Sequence, residues 1–434
     1  MKTAFLFCLL YLFFVSFAAQ SQQKPNYSQT IAGVHVNYHE DSVGSYTLPD
    51  PLLFNNGRKV STAKEWTSQR RPEILSLFEK LQFGNSPQPR HAVSYKITEA
   101  NGDAFGGTAI RKQVTIFLSK DTSGPKAYLL CYLPAQTVGP SPLLLGISFV
   151  TNAMAVDDPA LQLGMAWEKG QRILQTHSSF KRVPVASFIE AGIGYATVYY
   201  GDMEPDFKGG FAYGVRNQFL KEGQEHFAAN EWGAISAWSW GLSRIMDYLR
   251  TDQQVDPHRI ALNGASRLGK TALWTGARDA RFALIIASIS GEGGAALSRR
   301  NYGETIQMIT DTGRYYYQFA PNYHTFSKRV HELPMDSHML IALIAPRPLL
   351  LQTGNEDYFS DPKGEFLAAL AAEPVYRLLK QEGLNTTTMP IAGDTSMLNT
   401  LGYYMHQGGH TILPEDYDLF IRFMQKHWTK EKRH

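Results

Sequence analysis

Five short runs of nearly uninterrupted apolar residues constrain this chain more than any other feature: 142–149, 195–200, 259–265, 284–289 and 348–353. A strand with one wet face alternates apolar and polar residues. A continuous apolar run suits a strand buried on both faces, as in a parallel sheet covered by helices. Helical patterns lie among the runs. Trp238, Leu242, Ile245, Met246 and Leu249 recur at three- and four-residue spacing and give one apolar face. Near the C-terminus, Pro414-Glu415-Asp416 opens a helix that carries Phe420, Phe423, Met424 and His427. Residues 113–118 and 127–133 read as paired early strands. Strands alternating with helices predict an α/β fold, a three-layer sandwich around a mostly parallel central sheet.

Composition narrows the class of partner. The 434 residues hold 42 basic and 39 acidic side chains and are 44% hydrophobic, which suits a folded chain with ample core. A near-neutral chain with no basic block argues against nucleic acid or a membrane surface as partner. Two cysteines exclude a disulfide scaffold and a cysteine-based zinc site. Lys2, the apolar stretch 4–19 and the polar stretch 20–24 form a secretory signal, predicting a secreted or periplasmic protein with no membrane anchor after cleavage. Cys8 lies inside the apolar core of that signal, which leaves Cys131 as the mature chain's thiol, read as a small buried hydrophobe. No linker or repeat follows. The expected organisation is a signal peptide over 1–20, an N-terminal extension over 21–105 packing on the main domain, and a large α/β domain over 106–434, as a monomer.

The most informative stretch is Asn263-Gly264-Ala265-Ser266-Arg267-Leu268-Gly269-Lys270. A strand runs into Gly264, Ser266 follows, and a helix starts at once. A serine pinned on a strand-to-helix turn is the nucleophile elbow of α/β-hydrolases. Such a turn aims the next backbone N–H, that of Arg267, at the oxyanion formed on attack, and the helix N-terminus adds partial positive charge there. The second glycine comes three residues after the serine, a departure from G-x-S-x-G. Read alone, the sequence leaves an ordinary turn as the alternative.

Gly264-Ala265-Ser266-Arg267-Leu268-Gly269-Lys270 resembles the G-x-S-R-x-G-K signature of glucuronoyl esterases, carbohydrate esterase family 15. The resemblance extends over about residues 70–428. It includes Tyr200-Gly201-Asp202 with Pro205-Asp206, Glu231-Trp232-Gly233, Ser290-Gly291, Gly303-Glu304-Thr305 and Ala345-Pro346-Arg347-Pro348. It implies hydrolysis of glucuronic acid carboxyl esters in plant cell-wall polysaccharide, a 4-O-methyl-glucuronoyl methylesterase-like activity that uses no metal and no cofactor.

A serine nucleophile needs a histidine base and an acid that fixes the histidine's tautomer, in the chain order serine, acid, histidine. Among 13 histidines, His406 and His410 fit that order. His410 follows Gly408-Gly409 and matches the family's base, whereas His338 reads as structural. Asp357 lies past the strand 348–353 and matches the family aspartate, with Glu356 and Asp361 as fallbacks. Some relatives carry a glutamate just before Ser290-Gly291, where this chain has Ile289. Glu292 reads as a loop carboxylate. By resemblance, the Arg267 side chain supports the oxyanion, while Lys270 and Glu304 contact the sugar. A structural ion pair is the other reading of Glu304. Phe359 stands where relatives carry tryptophan, and Gln318 replaces a second family aromatic beside Tyr315-Tyr316-Tyr317. Those tyrosines either rebuild the substrate pocket or pack in the core.

Three other classes compete. Gly291-Glu292-Gly293-Gly294-Ala295-Ala296 imitates a dinucleotide fingerprint but lies downstream of the elbow, in the wrong unit. His35 and His39 lack the further ligands of a metal site. An inactive carbohydrate-binding homologue would have lost a triad member. An acetyl-polysaccharide or pectin-type methyl esterase on the same triad remains the enzymatic alternative.

Overall fold

The computed structural model describes residues 25–89, 91–220 and 228–428; the signal-peptide assignment lies outside them. Nine strands form the central sheet. In chain order they are β1 Ser94–Ala104, β2 Ala109–Phe117, β3 Lys126–Pro134, β4 Ser141–Ser148, β5 Gly194–Tyr199, β6 Val255–Ala265, β7 Leu284–Ser288, β8 Leu349–Gly354 and β9 Leu401–His406. The spatial order is β9-β8-β7-β6-β4-β5-β3-β2-β1. Every neighbouring pair from β9 to β5 is parallel. The three pairs from β5 to β1 are antiparallel. Residues 94–104, within the segment read as an extension, therefore form an edge strand of this sheet.

The apolar runs divide by parity between two cores, as strand geometry requires. Leu143, Leu145, Ile285, Ala287, Leu349 and Leu351 face one core. It is covered by α1 (Arg71–Leu81), α3 (Ala234–Leu249), α4 (Arg267–Arg278) and α5 (Pro362–Leu378). Leu144, Leu284, Ile286 and Leu350 face the other, covered by α2 (Val185–Glu190) and α6 (Pro414–Trp428). Helices on both faces of a mostly parallel sheet make the α/β-hydrolase sandwich. Residues 54–83 supply Phe54, Trp66, Ile74, Phe78 and Phe83 to the first core, so this N-terminal part is packed into the main body. Cys131 is buried there as well, and burial pushes its thiol up to about 12, out of reach of a nucleophile's range. Among the described residues, no helix is long and apolar enough to cross a membrane.

The parallel strands all deliver loops to one edge of the sheet, the edge at their carboxyl ends where such folds bind ligands. There β6 passes into α4 through Ser266, whose φ of 56° and ψ of −126° lie in strained territory for a side-chain-bearing residue. The Ser266 N–H donates to Ser288 O at 2.9 Å, tying the turn to β7. Gly264 has no room for a side chain: a Cβ would sit 2.2 Å from Leu268 O and 3.1 Å from the Ile147 side chain. Gly264→Ala should therefore displace the turn. We expect a loss of about 3 kcal/mol in denaturant unfolding and at least about a hundredfold loss of esterase activity.

Candidate active site

Three strand ends bring the triad candidates together, and two more add to the site. Ser266 follows β6, Asp357 follows β8 and His410 follows β9, while Phe149 and Tyr200 arrive from β4 and β5. His410 Nδ1 lies 2.7 Å from Asp357 Oδ2 and 3.1 Å from the Ser360 hydroxyl. A proton on Nδ1 facing these acceptors leaves Nε2 as the basic nitrogen. Asp357 is buried, whereas the His410 side chain is 46% exposed and lines the same two cavities as Ser266.

The acid and base loops are laced by backbone. Asn355 N donates to His406 O at 3.0 Å, Glu356 N to Gly408 O at 2.8 Å, and Gly408 N to Asn355 Oδ1 at 2.9 Å. Gly354 permits this approach, because a Cβ would meet Gly409 O at 2.4 Å. The alternative acids are occupied elsewhere. Glu356 accepts from Gln407 Nε2 at 2.8 Å. Asp361 caps α5 through Gly364 N and pairs with Arg300 at 2.9 Å. His406 is buried beside β8, with Nδ1 2.8 Å from Asp416 and Nε2 3.2 Å from Gly409 O. Burial opposes its cation, but the Asp416 carboxylate outweighs burial and raises its pKa. His338 is also buried, against Pro49 O at 2.8 Å.

Two cavities meet at Ser266, and their chemistry differs. One, about 660 Å³, is the more apolar, with Ile147, Phe149, Val150, Phe180, Val183 and Ile412 on its walls beside the polar Lys181 and Asn263. The other, about 170 Å³, is polar and is lined by Lys270, Glu304, Arg314, Tyr315, Gln318 and Phe359. Lys270 and Glu304, assigned to the sugar by resemblance, and Phe359 and Gln318, which stand where relatives carry aromatics, thus reach one cavity, in differing states. Lys270 is buried without an ion-pair partner among the described residues; desolvation lowers its pKa, opposed by the nearby Glu304. Glu304 pairs with Arg314 at 3.0 Å, the ion pair the sequence left open as its other reading, and its side chain also lines the cavity. Phe359 contributes a wall, and its carbonyl accepts from Glu304 N at 2.8 Å. Gln318 is buried, and its amide donates to Asp206 at 2.7 Å. Arg267 forms an ion pair with Asp206 and lies over the Tyr315 ring at 4.4 Å.

Sequence reading gave no role to Asp206, Arg314, Ser360, Glu292 or Glu365. Asp206 stood in view within Pro205-Asp206, but nothing local tied it to Arg267. Glu292 lies in a loop, as read from the sequence, but is buried there: it accepts from Ser298 Oγ at 2.7 Å, and burial pushes it up to about 8. Glu365 reaches from α5 to Gly291 N at 2.7 Å and Ser290 Oγ at 3.3 Å, beneath the polar cavity. Among the described residues, no group satisfies its Oε2. No cluster of three or more potential metal ligands occurs among them either.

This geometry has close counterparts. A family model described as "Glucuronyl esterase, fungi" matches residues 224–380. The carbohydrate esterase MZ0003, from an unknown prokaryotic organism, is 40% identical over 404 residues, covering 91% of this chain and 92% of its own. The chain belongs to the glucuronoyl esterases. A glucuronoyl esterase from Solibacter usitatus shares its fold at a TM-score of 0.85 and 42% identity, over 90% of this chain and 100% of that one. A promiscuous family 15 esterase from a marine bacterial metagenome gives 0.81 at 38% identity, again over 90% and 100%. As a glucuronoyl esterase of family 15, the chain is a carboxylic ester hydrolase with the α/β-hydrolase fold.

Burial makes Glu365 a pH-dependent element of this glucuronoyl esterase. Its pKa is pushed up to about 8, so the folded state keeps a proton that the unfolded chain releases near pH 4. Stability contributed by this group is complete below the ordinary carboxylate range and is lost as pH rises towards 8. Glu365→Gln mimics the protonated form and lacks that loss. The unfolding free energy of the variant minus that of the wild type should grow by about 3 kcal/mol between pH 5 and pH 8, measured by urea titration. A constant difference across that range would exclude a neutral Glu365.

Proposed function

We propose that this protein is an exported serine esterase that hydrolyses carboxyl esters of uronic acids in plant polysaccharides through an acyl-enzyme. The observation that carries the reading is the meeting of one polar and one apolar cavity at Ser266. An ester has two sides, and its carbonyl must sit at the serine. The polar cavity, with Lys270 and Glu304, offers donors and acceptors for the hydroxyls of a uronate acyl group. The apolar cavity, with Phe149 and Phe180, suits the alcohol.

Ser266 Oγ attacks the ester carbonyl while His410 Nε2 takes its proton. Asp357 holds the His410 ring and stabilises the imidazolium. The tetrahedral oxyanion is met by the backbone N–H of Arg267, which as the first residue of α4 has no intrahelical acceptor, and by the Arg267 guanidinium. Collapse expels the alcohol, protonated by His410. Water activated by the same nitrogen then attacks the acyl-enzyme, releasing the uronic acid and restoring Ser266.

A panel of benzyl glucuronate, methyl glucuronate, methylated galacturonan and acetylated xylan tests this reading. We expect turnover of the glucuronate esters, and turnover of acetyl esters alone would overturn it. Ser266→Ala should lower kcat by at least about 10⁴-fold, and Asp357→Asn by about 10³–10⁴-fold. Asp361→Asn, by contrast, should cost about 3 kcal/mol of stability through its buried ion pair while leaving kcat near wild type. Phe180 stacks on Phe149 at 5.3 Å, at the apolar mouth. Phe180→Ala should raise KM for the benzyl ester about fivefold and leave the methyl ester unchanged.

A further inference from the structure

Asp206 accepts from four side chains drawn from three separate parts of the chain. Its Oδ2 receives Arg267 Nη1 from the start of α4 and the Tyr200 hydroxyl, at 3.2 Å, from the end of β5. Its Oδ1 receives the Tyr317 hydroxyl at 2.9 Å and the Gln318 amide at 2.7 Å. The carboxylate side chain is 4% exposed. Each oxygen is thereby committed to two donors, and the carboxylate cannot rotate without breaking bonds on both sides.

The partner it holds is equally confined. The Arg267 guanidinium lies 4.4 Å over the Tyr315 ring and 5.9 Å from the centre of the Phe149 ring. Its side chain is 25% exposed, and it lines both cavities that meet at Ser266. A guanidinium with one edge ion-paired and aromatic rings against it keeps only its remaining N–H groups for the cavity. A planar fork aimed in this way donates to a fixed point, whereas a free arginine would sample many rotamers.

We propose that Asp206 is a positioning residue that aims Arg267 at the oxyanion, with Tyr200, Tyr317 and Gln318 serving as its anchors. Gln318, which stands where relatives carry an aromatic, acts here through Asp206. The inference rests on the oxyanion role given to Arg267 above. Its mark is coupling. A donor that works only when correctly aimed loses its value when the aiming residue is lost, and the second loss then adds nothing.

A double-mutant cycle on benzyl glucuronate tests it, with kcat and KM read separately. Arg267→Ala should lower kcat by about 10²–10³-fold, as removal of an oxyanion donor does. Asp206→Asn keeps the size of the side chain but loses the charge. We expect it to lower kcat by about 10–100-fold with KM within about twofold, the signature of an interaction made in the transition state. Asp206→Asn/Arg267→Ala should be no slower than Arg267→Ala alone. Tyr317→Phe, which removes one anchor and no charge, should give a smaller kcat loss that also vanishes in the Arg267→Ala background; it serves if Asp206→Asn does not fold. Penalties that multiply in the double variants, or an unchanged kcat in both Asp206→Asn and Tyr317→Phe, would overturn the positioning role. An Arg267→Ala enzyme as fast as wild type would instead overturn the oxyanion assignment.

Discussion

Ser266 is held at a backbone geometry that a serine adopts only under constraint, and the 2.9 Å bond from its N–H to Ser288 O is one of the restraints. That bond joins β6 to β7 at the point where β6 turns into α4. Gly264 lets the α4 backbone close over the turn, and Gly269 lets α4 approach Ser288 O, where a Cβ would sit at 2.7 Å. The strain is offset by the packing of α4 into the first core, which buries Leu268, Ala272, Leu273 and Trp274. The exposed chemistry therefore depends on a buried helix–sheet contact: if α4 shifted on the sheet, Ser266 would relax and Arg267 would leave its carboxylate.

The electrostatics around this turn are built largely from neutralised groups. Glu292 and Glu365 are buried carboxyls whose pKa values are pushed up to about 8. Arg267 is balanced by Asp206, and Arg314 by Glu304. Lys270 is buried without an ion-pair partner among the described residues, and desolvation lowers its pKa.

Residues whose signal is local were legible in the sequence. The apolar runs read as two-face-buried strands because burial from both sides removes the polar alternation, and β4, β7 and β8 fall within a residue or two of those runs. The elbow was legible because strand, glycine, serine and helix are contiguous. Asp357 and His410 follow strand ends, where this fold places its loops. Asp206 was not legible in that way. It lies 61 residues from Arg267 and 112 from Gln318, and no spacing rule links such positions. The same holds for Glu365, which meets Ser290 across 75 residues. Glu292 was legible as a loop carboxylate but its burial was not, because the glycine-rich loop around it is folded inwards, over Tyr323 and Ser298.

The lacing of residues 354–357 to residues 406–410 bears on how these loops can change. Neither has an independent register: Asn355 and Glu356 each bond to the histidine loop through backbone, and Gly354 touches Gly409. An insertion or deletion in one would slide a ladder of contacts and move both Asp357 and His410. The two segments behave as a single cassette, exchangeable between scaffolds as a pair. The walls of the two cavities come from other segments, 149–183 and 304–319, and the second of these is itself tied to the acid loop by the bond from Glu304 N to Phe359 O, so a change of length there would reach the pair as well.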